Sequence, residues 1–523
     1  MSDISRRIGN LSPEKLALLS KLLAEKSRAQ TGDQVIPRRT QENHCPLSFA
    51  QERLWFTTQV DPDNPVYNIP IALEIEGAIN VEELEQSFSE IIRRHEALRT
   101  TFTRIEDQPV QVIGEASPFS LEMCDLSELP ESERRAEATR LATEAAQQCF
   151  DLARGPLLRV RLLRMAEHHY VILFSTHHIV CDEWSMGVLI QEMVTLLKSF
   201  SEGKPSPLAD PAIQYADFSE WQRKWLQGEE FEQHLSYWKN QLADLPTLVL
   251  PADYARSPVQ TFRGATKLLR LDDDLRNEIK AVSLKEGTTL FMTLLAAFKV
   301  LLYCYSGQRD IAVGTDIANR SRKEMEGLIG FFANQLVLRT NLSGNPSFRE
   351  FLSRVRAITL DAYAHQDVPF EKVVRAVNPK RDPGRTPLFQ VKFVFQNAAF
   401  SNLEVPGLSV DGFEFVNTTA KFDLLFTMGE AAQGLIGSLE YSSELFSNNT
   451  IDRMLKHFEI LLRSIAKQPD ITLDALKELL HEVDERDRAI KSEEYEQARS
   501  RPRRDARPKP IEIPSSVLNW SNE

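Results

Sequence analysis

The chain is poor in the features that organise secreted, metal-bound or membrane-embedded proteins. Its 523 residues include five cysteines, Cys45, Cys124, Cys149, Cys181 and Cys304, an odd number with no CxxC spacing. That argues against a disulfide framework or a zinc site and for a reduced, cytoplasmic protein. No run of about 18 apolar residues occurs, so no membrane span is expected. The opening "MSDISRRIGN" lacks the apolar core of a signal peptide. Positive charge is in deficit, with 62 Lys and Arg against 75 Asp and Glu and a net charge of −13. Nucleic acid is therefore not an expected partner, because nothing in excess neutralises phosphate. No P-loop, GxGxxG or Gly-x-Ser-x-Gly elbow is present to mark a nucleotide or hydrolase site.

What is present reads as globular: 42% of residues are apolar and 26% charged. The length exceeds one ordinary core, so two lobes are expected. Ser12 and Pro13 suit the start of a helix over 12–28, whose Leu16, Leu19, Leu22 and Leu23 form one apolar stripe. A breaker-rich stretch follows to Pro46. Strands and helices then alternate. "YNIPIALEIEG" (67–77) reads as a strand, "NVEELEQSFSEIIRRHEAL" (80–98) as a helix, and "LLRVRLLRM" and "YVILFST" as a strand pair. The second half repeats this texture, with a deeply apolar helix in "TTLFMTLLAAFKVLLYCYSG" (288–307). The expected division is 1–45 as N-terminal helix and linker, 46–215 and 216–480 as two α/β lobes, and 481–523 as a charged linker or disordered tail.

The stretch "FSTHHIVCDEWSMG" (174–187) concentrates the chemistry. Strand alternation sends His177 and His178 to opposite faces, so one can face a cleft while the other packs inward. The same alternation argues against both binding one metal, and no second cluster supplies further ligands. A bare His pair carries little weight, since His168 and His169 form another in a polar turn. The context gives the pair at 177–178 its weight: a strand before, a helix after, and Asp182 placed to orient an imidazole or hold an arginine. An imidazole is also the natural proton carrier near neutral pH.

"HHIVCDEWS" resembles the HHxxxDGxS motif of condensation domains of nonribosomal peptide synthetases or hybrid polyketide/peptide synthetases. Six further stretches resemble that family's motifs in order: "LSFAQERLWF" (47–56), "RHEALRTTF" (94–102), "YADFSEWQR" (215–223), "IGFFANQLVLRT" (329–340), "HQDVPFEKVV" (365–374) and "RDPGRTPLFQVKFVFQN" (381–397). The subtype resembles the one joining an L-configured or non-amino-acid donor to an L-aminoacyl acceptor. The resemblance implies an α/β fold of two chloramphenicol-acetyltransferase-like lobes in a V, with the active site at their junction. It implies transfer of a donor acyl, peptidyl or polyketide thioester from an upstream carrier protein to the amine of an aminoacyl thioester on a downstream one. No cofactor is expected on the chain itself, since phosphopantetheine arms of the carriers bring the substrates. Other synthetase domains are expected as further partners.

Residue by residue, the resemblance makes His178 catalytic and His177 supporting. Asp182 is expected to pair with Arg320 of "DIANRSRKEMEG", and Asn334 to stand near the site or simply to cap its strand. Trp55, Trp221 and Phe389 are expected in the core, and Arg53 and Arg99 in lobe structure. Glu183 departs from the pattern, which places glycine there. It either points to solvent, or gates and contacts substrate, or obstructs a dead site. Besides the amide-forming transferase, an ester-forming variant and a non-catalytic platform recruiting carrier proteins or tailoring enzymes remain open.

Overall fold

The computed structural model describes residues 36–40, 44–380, 382–396, 407–415 and 418–500. The helix expected over 12–28 and the end of the tail lie outside these residues. The described chain forms two units divided after Leu473. The helix Leu473–Ser500, from Asp474 onward, makes up the described part of the second unit.

Within the first unit, the first half supplies β1 (His44–Pro46), β2 (Asn68–Glu76), β3 (Thr100–Ile105), β4 (Gln108–Ile113), β5 (Glu122–Asp125), β6 (Leu158–Ala166) and β7 (His169–His177). The second half supplies β8 (Gly264–Leu271), β9 (Asp310–Ile317), β10 (Asn334–Asn341), β11 (Val391–Gln396), β12 (Ser409–Gly412), β13 (Leu424–Ala431) and β14 (Gly434–Ser442). They build a five-stranded sheet in the order β12-β2-β7-β6-β5, a six-stranded sheet β10-β9-β11-β13-β14-β8, and a small sheet β1-β4-β3.

Strand β7 is central in the first of these sheets and buried on both faces from Tyr170 to His177, which is why Tyr170–Phe174 is an unbroken apolar run. It pairs antiparallel with β2, Asn68 opposite His177, and with β6 on its other side. Helices Val81–Arg94 and Glu183–Ser201 bury Phe88, Ile91, Leu189 and Leu196 in a cluster that also holds Ile172 and Phe174 of β7. Each such side chain contributes roughly 1.5–3 kcal/mol when fully buried.

One strand crosses the expected boundary between halves. Strand β12 lies at position 409 but pairs with β2, Val410 opposite Ile75, and the amide of Phe413 then donates to the Ala72 carbonyl. It covers an edge of the first lobe's sheet that would otherwise expose unpaired backbone groups. In the other lobe, helix Leu290–Ser306 is buried almost throughout, as its apolar sequence predicts. Its one charged residue, Lys299, is fully enclosed and donates to the Thr340 hydroxyl at 2.9 Å and to the Leu338 and Ile311 carbonyls.

Candidate active site

The His pair straddles the end of β7: His177 is its last residue, His178 the first of the turn that follows, and the two rings enter different surroundings. His177 is buried, its ring centroid 6.3 Å from Tyr67 and 6.1 Å from Phe150. Its Nδ1 accepts from the Ile179 amide at 3.1 Å. Burial, with Lys421 acting in the same direction, pushes its pKa down to about 3. His178 is only partly enclosed, against Phe331 at 5.1 Å. Its Nδ1 lies 3.0 Å from the Cys181 carbonyl, so Nδ1 carries the proton and donates it there. That leaves the Nε2 lone pair without a protein partner among the described residues. Burial first, then the charges of Lys421 and Lys392, hold His178 well below the ordinary imidazole range. The ring is thus neutral, with a fixed tautomer and one free acceptor nitrogen.

The turn carrying His178 is fastened from several sides. Ser48 and Gln51 of "LSFAQ" form a reciprocal capping box that starts helix Phe49–Val60. The amide of the same Gln51 donates to the Ile179 carbonyl at 3.0 Å. Tyr215 donates from its hydroxyl to the Phe331 carbonyl at 2.7 Å and shares a hydrogen bond with Ser48 at 2.8 Å. Its ring lies where a Cβ on Gly330 would stand, so only glycine fits there.

Asp182 and Arg320 meet across the junction of the lobes. Nη2 of Arg320 stands 3.1 Å from Oδ1, with the side chains only 1% and 3% exposed. Asp182 is also the N-cap of helix Glu183–Ser201. Its Oδ1 accepts from the Ser185 amide and hydroxyl besides Arg320, and its Oδ2 from the amides of Phe332 and Ala333. Arg320 also donates to the Ser185 hydroxyl and to the Met325 and Leu328 carbonyls. One carboxylate thus fastens the His178 turn, the following helix and the loop of the other lobe.

Asn334 lies at the start of β10, and its side chain is fully used. It donates to the Gln366 and Val368 carbonyls at 2.9 and 2.8 Å, and accepts from the Phe370 and Gln335 amides at 3.0 and 2.9 Å. It brackets the "HQDVPF" loop to the strand, and no donor or acceptor is left for a substrate. Arg53 reaches across to Gln335 and Glu371. Trp55 and Phe389 are buried, while Trp221 is partly exposed and stacks on Trp225.

Glu183, the first residue of its helix, is open to solvent but not directed away from the protein. Its carboxyl faces the side chain of Gln396, at the end of β11 in the other lobe. Burial raises it above the ordinary carboxylate range, and Asp316 and Asp182 act the same way against Gln396 and Lys392. Exposure together with close protein on several sides describes a crevice wall, not an outer surface.

A second cluster has no counterpart among the sequence expectations. Arg94 forks onto Glu192 at 2.9 and 3.2 Å, and His95 Nε2 donates to the same carboxylate at 3.0 Å. His95 Nδ1 accepts from the Ile329 amide across the junction. Burial opposes ionisation, but His95 and Arg94 together hold the Glu192 carboxyl below its ordinary range. Removing it by Glu192→Ala leaves the buried Arg94 with only the exposed Asp210, 3.9 Å away, as counter-charge. We expect a loss of about 3–5 kcal/mol in urea unfolding, while an unchanged midpoint would show that the cluster contributes nothing. The signal in the sequence is an acidic residue at a helix position otherwise facing the core.

A family model for the condensation domain matches residues 41–486. One component of the linear gramicidin synthase of Brevibacillus parabrevis is 47% identical over 450 residues, covering 85% of this chain and 9% of that protein. The chain thus spans about a tenth of the length of that relative. Among solved structures, the X-domain from teicoplanin biosynthesis aligns with TM-score 0.77 and 26% identity over 84% of this chain and 99% of that one. The X-domain in complex with OxyB aligns with TM-score 0.75 and 27% identity, over 85% and 98%. The two sheets meeting at the His178 turn are the two-lobed chloramphenicol-acetyltransferase-like fold of these proteins, and this chain belongs to the condensation domains of nonribosomal peptide synthetases.

Proposed function

We propose that this chain forms amide bonds between substrates tethered to two carrier proteins. The amine of an aminoacyl thioester attacks the carbonyl of the donor thioester beside His178. A C–N bond forms, the tetrahedral intermediate collapses, and the C–S bond breaks. The donor's pantetheine thiol leaves, and the proton lost by nitrogen ends on sulfur. Holding both thioesters in one crevice makes the step effectively unimolecular. Nε2 of His178 accepts the amine proton or orients the amine. The observation that carries this reading is the neutral His178, its Nδ1 tied to Cys181 and its Nε2 free. Incubating the chain with pairs of loaded acyl- and aminoacyl-carrier proteins tests it. Intact-protein mass spectrometry should show mass moving from donor to acceptor, and no transfer with any pair would sink the reading.

The X-domain held in complex with OxyB supports a second reading, a platform that recruits a partner without turnover. Glu183→Gly separates the two. At most one polar interaction, with Gln396, is lost, and a net hydrogen bond is typically worth about 0.5–1.5 kcal/mol. In an active enzyme we expect kcat/KM to change by no more than about tenfold, with the ranking of donors or acceptors altered. Activity that arises only in the glycine protein would instead mean that Glu183 obstructs a dead site.

A further inference from the structure

Lys421 lies just before β13, outside the stretches that carry the family resemblance. Its amide donates to Glu440 at 3.2 Å, and its ammonium sits 5.1 Å from the centroid of Tyr67. Tyr67 is the residue whose carbonyl accepts the His178 amide at 2.8 Å and whose ring packs beside His177. The lysine, from one lobe, therefore closes on the catalytic turn of the other. The neighbouring Lys392 is already paired, 2.5 Å from Asp316. Lys421 is not: among the described residues its ammonium makes no hydrogen bond or ion pair. A partly buried cation that has an aromatic face against it but no hydrogen-bond or ion-pair partner among the described residues is costly, so its retention points to an anion that comes and goes.

We propose that Lys421 is the counter-charge for the oxyanion that forms on the donor carbonyl when the amine attacks beside His178. This rests on the transfer reaction proposed above and adds a second group to it. That oxyanion is the negative charge that attack creates in the crevice, and it is gone once the C–S bond breaks. A preorganised cation there acts on the transition state and little on the ground state. The charges around Lys421 are Glu440 on β14, Lys392 on β11, Asp316 on β9 and Arg53 on helix Phe49–Val60. Burial dominates among them and lowers Lys421 to about 8, so the ammonium is lost just above neutral pH. Lys421, Lys392 and His177 are in turn the charged or titratable groups acting on His178.

The test compares Lys421→Met and Lys421→Arg with the parent, using the loaded carrier pair that the parent turns over. Methionine should lower kcat by roughly 10²–10³-fold with little change in KM. Arginine should restore part of the rate, and it should move the alkaline fall in rate near pH 8 to higher pH, because a guanidinium stays charged. Wild-type kcat in the methionine protein, or an alkaline limb unmoved by arginine, would overturn the proposal. A second readout does not need turnover. Removing a like charge should raise the His178 titration midpoint in the methionine protein, followed by the NMR signal of its ring Cε1–H. If the parent transfers nothing with any pair, the proposed function fails. A raised midpoint would then still place the cation against His178, and an unmoved midpoint would remove Lys421 from the site altogether.

Discussion

Replacing His178 by alanine is expected to remove nearly all transfer and leave the fold intact. The ring is only partly enclosed, and its one hydrogen bond among the described residues is to the Cys181 carbonyl, so little packing is lost. What disappears is the free Nε2, the neutral acceptor at the crevice. Proton transfer by a positioned group contributes roughly 10²–10⁴-fold, and loss of amine orientation adds to it. His177→Ala is the informative control. It empties the space between Tyr67 and Phe150 and strips the Ile179 amide of its acceptor. It should lower the thermal midpoint, yet leave kcat per folded molecule near that of the parent. Wild-type turnover by His178→Ala would end its catalytic assignment, and a dead but stable His177→Ala would exchange the two roles.

The second large effect concerns Asp182. Its carboxylate receives five donors from the turn, the helix and the facing lobe. Asp182→Ala leaves Arg320 buried and charged, strips two backbone amides of their acceptor and uncaps a helix. A loss of about 3–5 kcal/mol is expected from the broken buried pair. The helix cap adds about 1 kcal/mol. Activity should fall with it, because the turn that positions His178 begins to move. The check is urea unfolding beside a transfer assay. Asp182→Asn, which keeps the shape but not the charge, should fall between. An alanine protein as stable as the parent would show that the lobes are held elsewhere.

Much of the local structure was legible. Strand alternation predicts that His177 and His178 diverge, but His178 lies in the turn after β7, where its amide bonds the Tyr67 carbonyl and its Nδ1 the Cys181 carbonyl, and these set its direction. The boundary at Pro369 follows from the ring of proline, and helix Phe370–Val377 begins just after it. The "GFFANQLVLRT" stretch is apolar enough to suggest a strand along its whole length, and the ladder takes up only its second part. Its strand begins at Asn334, since the preceding residues are spent on Tyr215 and Asp182 instead of a ladder.

The sequence by itself determined what depends on near neighbours: which faces are apolar, where helices start, and that a carboxylate follows the His pair at a fixed spacing. The Asp182–Arg320 pairing was reached only by resemblance, for no periodicity links residues 138 positions apart. Tertiary structure alone decided that β12 returns to the first lobe's sheet, that Glu192 gathers Arg94 and His95, and that Glu183 finds Gln396 in the opposite lobe. Lys421 belongs with these. The physical reason is common to all of them. Periodicity says that a side chain is removed from water, but a buried charge is settled by its partner, and lobe packing chooses that partner after both lobes exist.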